Sequence, residues 1–283
     1  MGTSDVLGAG SSAAAARELT TVGKLSPSRP VGASAARGAL RVLVVIPQLR
    51  TGGAEKQVVL LASELRARGH EVGVATFYPG GDLEAPLRAA GIPVFVVPKT
   101  SLVGWEVVAG LRRLLEDHAC EVAHSFLWPA NWRTRVAARM AGTPAVVVST
   151  RSLETYLGWH RLLLNRLLDR WADGVVVNAE ALRQHVVLDQ GLPEDKVRVI
   201  RNGLQAARFR SSLSRDEARA RLGLPPGAPV LGCVGNFKPE KNQEDLIRAL
   251  AWMRGRGHDA RLLLVGGGPR ESDLRRFAAA LGV

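Results

Sequence analysis

The sequence predicts an α/β protein built on parallel sheets, and three observations predict it. Runs of Val, Leu and Ile recur along the chain and are continuous rather than alternating, as in strands covered on both faces. Helical patterns separate these runs, which is the order that builds a parallel sheet. A βαβ opening also occurs twice. Leu43-Val44-Val45, a loop, a helix over 54–68 and the stop Arg66-Ala67-Arg68-Gly69-His70-Glu71 recur 188 residues later, from Leu231 to Arg254-Gly255-Arg256-Gly257-His258-Asp259. Two openings of equal length imply two Rossmann-like domains.

Residues 1–39 are mostly Ala, Gly, Ser and Arg with few large apolar side chains and read as a disordered tail. Residues 6–16 are uncharged, but they follow Asp5, lack a basic flank and are diluted by Gly and Ser, so no secretory leader is expected. Strands are predicted at 42–46, 72–77, 94–97, 121–124, 145–149, 174–177 and 197–200, within a first domain over 40–208. The turn-rich Pro225-Pro226-Gly227-Ala228-Pro229 leads into the second opening, with strands at 230–234 and 261–265 in a second domain over 209–283. The residues after Pro229 have room for only two strands and two helices, so the second domain is expected to be incomplete and the sequence a C-terminally truncated fragment.

A chain of 283 residues with 46% hydrophobic side chains is neither wholly disordered nor a small stapled module. Its net charge of +12 points to anionic partners: nucleic acid, phosphorylated substrates or acidic lipid. The tail holds Arg17, Lys24, Arg29 and Arg37 against Asp5 and Glu18, so most of the excess belongs to the body. The arginines are spread over many predicted helices without a recognition-helix or aromatic-strand signature, and no nucleic-acid partner is expected. Cys120 and Cys233, each in an apolar strand-like run, are expected as reduced cytosolic thiols. The longest uncharged stretch, 222–237, contains three prolines and four glycines and cannot span a membrane. The helix-like stretch 159–171, WHRLLLNRLLDRW, reads either as an interfacial helix on acidic lipid or as a domain helix with a buried leucine face and a solvated basic face; the second is the plainer reading.

Four places on this framework invite chemistry. After the first strand comes Pro47-Gln48-Leu49-Arg50-Thr51-Gly52-Gly53-Ala54-Glu55, where Gly52 and Gly53 let a ligand approach the free N–H groups of a helix start. The corresponding turn of the second domain is Gly235-Asn236-Phe237-Lys238-Pro239-Glu240-Lys241-Asn242. There Asn242 is a candidate cap answered by Asp245, which leaves Lys241 just outside the positive helix end, placed to neutralise a departing diphosphate. Leu264-Val265-Gly266-Gly267-Gly268-Pro269 is a strand entering a glycine loop, with Pro269 suited to the first helical turn. His124 ends its strand and opens a loop over 125–131 at the carboxyl edge, where ligands of open parallel sheets bind. Asp-x-Asp, His-x-x-x-His, Cys-x-x-Cys, G-x-G-x-x-G, the nucleophile elbow and the P-loop are absent, so metal-assisted and dinucleotide chemistry are unsupported.

Taken together, these segments resemble the retaining nucleotide-sugar glycosyltransferases of the GT-B fold, specifically glycosyltransferase family 4. The resemblance rests on Gly52-Gly53-Ala54-Glu55, His124-Ser125 with Asn131, Val175-Val176-Val177-Asn178-Ala179-Glu180, and Val199-Ile200-Arg201-Asn202-Gly203 with Phe209. It continues through Gly235 to Lys241 and Gly266-Gly267-Gly268-Pro269 with Leu281-Gly282. It implies two facing Rossmann-like domains, an N-terminal acceptor-side domain and a C-terminal donor-binding domain. It further implies hexosyl transfer with retention, without a divalent metal or other cofactor, from a nucleotide-diphosphate sugar to a glycan or lipid-linked acceptor of cell-surface polysaccharide or glycolipid synthesis. Gly52 and Gly53 would lie near the donor diphosphate, His124 would face the sugar, and Lys241 would stabilise charge on the leaving diphosphate. Gly266 and Gly268 would approach the nucleotide. Asn236 stands where the family carries arginine, with Lys238 as a substitute charge. The family's later Glu-x7-Glu segment and returning helix have no counterpart, so these residues alone are expected to be weakly active or inactive. The expected location is cytoplasmic or peripheral on an acidic inner membrane face. The rivals are a degenerate, non-catalytic sugar-nucleotide or membrane-surface binder and a nucleotide-dependent oxidoreductase or epimerase.

Overall fold

A computed structural model of the chain describes residues 38–153 and 158–283, so the predicted tail, apart from its last two residues, lies outside the described residues. The chain divides into two compact units, one ending at Leu204 and the other spanning Gln205–Val283.

The first unit runs β1 (Arg41–Val45), α1 (Gly53–Ala67), β2 (Glu71–Thr76), α2 (Glu84–Ala89), β3 (Val94–Val96), α3 (Trp105–Asp117), β4 (Val122–Phe126), α4 (Trp128–Ala141), β5 (Ala145–Thr150), α5 (Trp159–Leu168), β6 (Gly174–Val177), α6 (Glu180–Gln184) and β7 (Val197–Val199). Its seven strands are all parallel, in the order β3-β2-β1-β4-β5-β6-β7. Adjacent residues of β1 show why the strands read as continuous apolar runs. Leu43 and Val45 pack with Val107, Leu111 and Trp132 of α3 and α4, while Val42 and Val44 pack with Val58, Ala62 and Leu87 of α1 and α2. Both faces are covered, so neither parity can be polar. The strand order reverses at the β1/β4 pair, where Val44 lies beside His124.

The second unit contains α7 (Arg215–Arg221), β8 (Val230–Val234), α8 (Gln243–Gly255), β9 (Arg261–Val265) and α9 (Glu271–Ala280). Its β8 and β9 form a parallel pair. Ser214 and Glu217 make a capping box on α7, each satisfying the other's backbone N–H. A small core of Phe237, Ile247 and Leu274 joins α8 and α9 to the pair.

All nine predicted strands are strands, three with the predicted bounds and six with an end displaced by one or two residues. Ile46, Phe77, Val97 and Ile200 fall just past the ladders, yet their N–H groups still donate to Ala75, Pro47, Thr76 and Val177 carbonyls. Four local expectations are corrected. His124 is the third residue of β4, not its end, and the predicted 125–131 loop shrinks to Leu127, because Pro129 sits in the first turn of α4 and its ring already holds a helical φ. Cys120 precedes β4, its N–H bonded to Leu115 O at the end of α3; burial pushes its thiol up to about 12. Asn242 does not cap α8 with its side chain. The tight turn Pro239–Lys241 forces it into left-handed backbone (φ +46), and its Nδ2 donates to Asp245 Oδ2 at 2.5 Å. Pro269 lies ahead of α9, because the Arg270 N–H is bonded to Phe237 O and the helix begins at Glu271.

The stretch 159–171 has the buried leucine side and solvated arginines of the plainer reading, with Leu164, Leu168 and Trp171 packed on the core, and adds an outward apolar stripe that this reading lacks. Asn165 and Leu168 face inward, whereas Trp159 (78% exposed), Leu163 and Leu167 form an outward apolar stripe beside exposed Arg166 and Arg170. Asn165 is drawn in by Arg135, which it accepts from at 2.8 Å while Arg135 pairs with Asp169 at 2.5 Å. Among the described residues no helix is long and apolar enough to cross a membrane.

Candidate functional site

In the first unit the carboxyl ends of β1, β4, β5 and β7 carry one connected set of groups. The loop after β1 brings Gly52 to the N-cap of α1 and Gly53 to its first residue. Gly52 has extended backbone, so left-handed strain does not explain it. A methyl group there would come within 2.2 Å of Glu55 Oε2, because that buried carboxylate folds back over its own helix start. Nothing lies within 4 Å of the same position on Gly53, which leaves its backbone open to approach. Gln57 of α1 then ties in the loop after β7, donating Nε2 to Gly203 O at 2.9 Å and accepting from Gly203 N at 2.8 Å.

Next to Gly203, Asn202 Oδ1 accepts from Arg151 Nη1 at 3.0 Å. Arg151 follows β5 and donates Nη2 to Ser149 Oγ at 3.5 Å; Ser149 Oγ in turn lies 2.9 Å from His124 Nε2 on the adjacent strand. The His124 ring stacks on Phe126, with centroids 4.6 Å apart, and the Arg151 guanidinium lies 4.8 Å from the same Phe126 ring. Burial first, and the Arg151 charge second, hold the imidazole near 3, so it is neutral at pH 7. Beneath it, Ser125 Oγ donates to Asn131 Oδ1 at 2.8 Å and Asn131 Nδ2 donates to Ser149 O at 3.1 Å, which fixes the start of α4 against β4 and β5. The polar cavity behind these groups, about 20 Å³ and lined in part by Asn131, Arg135 and Thr150, has room for one water rather than a ligand.

In the second unit two loops meet at the carboxyl ends of β8 and β9. A methyl group on Gly266 (φ +152) would fall 2.0 Å from Gly235 O, and one on Gly268 (φ +154) would fall 2.7 Å from Phe237 O. The backbone of the 235–237 turn therefore requires both glycines before any ligand is considered. That turn is bonded to the glycine loop through Gly235 N to Val265 O and Phe237 N to Gly267 O, each at 2.9 Å. Asn236 is exposed, with its carbonyl accepting from buried Gln243 Nε2 at 3.1 Å. Lys238 and Lys241 are both exposed, and Lys241 ends the tight turn ahead of α8. A groove of about 340 Å³, lined by Phe237, Leu262, Leu264 and Leu274 among others, lies open in this unit.

Each unit thus gathers its own predicted residues at one sheet edge: Gly52, Gly53 and His124 in the first, Asn236, Lys238, Lys241, Gly266 and Gly268 in the second. Among the described residues no group of three or more His, Cys, Asp or Glu side chains is placed to hold a metal ion. The family model for Glycosyltransferase Family 4 matches residues 51–208, more than half of the chain. The chain belongs to glycosyltransferase family 4. A second model, glycosyl transferases group 1, matches residues 214–283 of this family 4 chain.

Among its relatives, the GDP-mannose-dependent alpha-(1-6)-phosphatidylinositol monomannoside mannosyltransferase of Mycobacterium tuberculosis is 31% identical over 253 residues, covering 86% of this chain and 65% of the relative. The D-inositol 3-phosphate glycosyltransferase of Nocardia farcinica is 40% identical over 121 residues, 40% of this chain and 26% of the relative. The family 4 chain thus spans about two thirds or less of the length of these relatives. In fold it is similar to Anabaena HepE, solved with UDP, at a TM-score of 0.73 and 23% identity over 86% of this chain and 66% of that one. Ser149 and Arg151 are site groups of this family 4 member that sequence reasoning did not single out, and Asn202 was noted in its segment but given no role of its own. The one signal for Ser149 and Arg151 was a polar Ser149-Thr150-Arg151 run closing an apolar strand.

Proposed function

We propose that this chain takes part in hexosyl transfer, with retention of configuration and without a divalent metal, from a nucleotide-diphosphate sugar to a glycan or lipid-linked acceptor of cell-surface glycolipid or polysaccharide synthesis. The observation that carries this reading is the first unit's carboxyl edge, where the open Gly53 backbone and neutral His124 flank the β1/β4 reversal at which ligands of such sheets bind. In this reading Gly52 and Gly53 approach the diphosphate and His124 meets the sugar. Asn236, Lys238, Gly266 and Gly268 line the nucleotide side. Lys241 meets the negative charge that grows on the leaving diphosphate, so its contribution is larger in the transition state than in the bound donor.

The acceptor is lipid-linked in this reading because the outward stripe of Trp159, Leu163 and Leu167 beside Arg166 and Arg170 suits an anionic bilayer surface, which also supports a peripheral location on an inner membrane face. The second unit offers only one strand pair, and transfer by these 283 residues alone is expected to be slower than by the longer relatives. The test is transfer from labelled GDP-mannose and UDP-glucose to an inositol phospholipid acceptor. Lys241→Ala, at an exposed position, is expected to lower kcat roughly a hundredfold with the fold intact. Tight binding of NAD with none of either sugar nucleotide would overturn the reading.

A further inference from the structure

Ser149 Oγ has two described hydrogen-bond neighbours, Arg151 Nη2 at 3.5 Å and His124 Nε2 at 2.9 Å. A guanidinium can only donate, so the hydroxyl oxygen accepts from Arg151. The hydroxyl proton then has one acceptor within reach among the described residues, the His124 Nε2 lone pair. An Nε2 that accepts carries no hydrogen, which puts the ring proton of a neutral imidazole on Nδ1. His124 Nδ1 has no partner among the described residues and is not one of the buried polar atoms left without one, so it reaches the surface. Arg151 is itself held in place by Asn202 Oδ1 at 3.0 Å and by the Phe126 ring that His124 stacks on.

We propose that Arg151 and Ser149 are positioning residues that fix His124 as the Nδ1–H tautomer, so that the ring presents a hydrogen-bond donor and not a base at the edge of the sheet. The role of that donor toward a sugar oxygen rests on the proposed function; the tautomer does not. A bare histidine side chain in water favours the opposite, Nε2–H form, and the surroundings must reverse that preference. The order of donation does so: the guanidinium points at the hydroxyl, and the hydroxyl points at the ring. Burial and the Arg151 charge add to this by keeping a second proton off the ring.

The experiment is long-range ¹H–¹⁵N spectroscopy of the full 283-residue chain labelled with ¹⁵N-histidine, at pH 7, with the His124 signals assigned by their loss in His124→Asn. The expected wild-type pattern is a protonated Nδ1 and an unprotonated Nε2. Ser149→Ala removes the hydroxyl and is expected to shift the ring toward Nε2–H, Arg151→Met to give a mixture, and Ser149→Thr, which keeps a hydroxyl, to retain Nδ1–H. A wild-type ring with the proton on Nε2 would overturn the proposal by itself, even where a variant fails to fold. So would folded Ser149→Ala and Arg151→Met proteins with the wild-type pattern. Because the readout is ring protonation, it is independent of whether any sugar is transferred; in a transfer assay the same variants are expected to lower kcat with little change in KM for the nucleotide.

Discussion

The two βαβ openings, β1–α1–β2 and β8–α8–β9, share local chemistry and differ in packing. Their helices end at Ala67 and Gly255, positions 188 apart, and the two bonds that close each stop correspond: the Gly69 and Gly257 N–H groups donate to the Arg66 and Arg254 carbonyls, and those of the histidines that follow reach one residue further back. Gly69 and Gly257 are left-handed at φ +87 and +84, and His70 and His258 donate to Leu65 and Met253 carbonyls. In β1, Leu43, Val44 and Val45 are wholly buried; in β8, Leu231 is half-buried and Val234 is 83% exposed. The helix stop is written into the segment itself, whereas burial is conferred by neighbours. β1 has β2 and β4 at its edges and helices over both faces, while β8 pairs with β9 alone beside an open groove.

The largest expected consequence is a difference in local stability. Amide hydrogen exchange should find β8 and β9 opening far more readily than β1 and β2, with protection lower by at least about a hundredfold, because fewer apolar contacts are lost on opening. Equal protection in the two openings would break the comparison. A smaller effect comes from paired truncations at equivalent sites. Leu43→Ala removes a side chain with no solvent exposure and should cost about 3–5 kcal/mol, while Leu231→Ala should cost about half of that. Denaturant titration can follow each unit by its own tryptophans, Trp132 in the first and Trp252 in the second. Costs that match within error would show that β8 is as well packed as β1.

The same division explains what could be read from the residues alone. All nine strands were legible because continuous Val and Leu runs need no partner to identify them, and the helix stops were legible because Gly69 and Gly257 act through their own backbone. The inward face of α5 was not, because leucines surround it in WHRLLLNRLLDRW and the choice is made by Arg135, thirty residues earlier, which draws in Asn165 and Asp169. Gly266 and Gly268 were legible as loop glycines, but the contact that demands them, the Gly235 and Phe237 carbonyls, lies across the strand pair. The glycines after β1 were found by their place past a strand end; His124 was found by the same argument, although β4 runs two residues beyond it. Ser149, Arg151 and the role of Asn202 escaped because their link to His124 runs between strands that only the β4-β5-β6-β7 order brings side by side.

The smallest effect sharpens the comparison most, because it should be the same in both units. A methyl group on Gly69 or on Gly257 meets nothing within 4 Å, so Gly→Ala at either position creates no clash. What remains is the cost of holding an L-residue in left-handed backbone, about 1 kcal/mol at each site, set by the residue's own sterics and not by its neighbours. Gly69→Asn and Gly257→Asn should each recover part of the loss, since asparagine tolerates that conformation. Thermal or denaturant unfolding read separately for each unit provides the comparison. Equal losses would confirm that the repeated stop acts locally, whereas a loss at Gly69 much larger than at Gly257 would mean that the surrounding core helps to set even this turn, and that packing and local chemistry are not separable in the first unit.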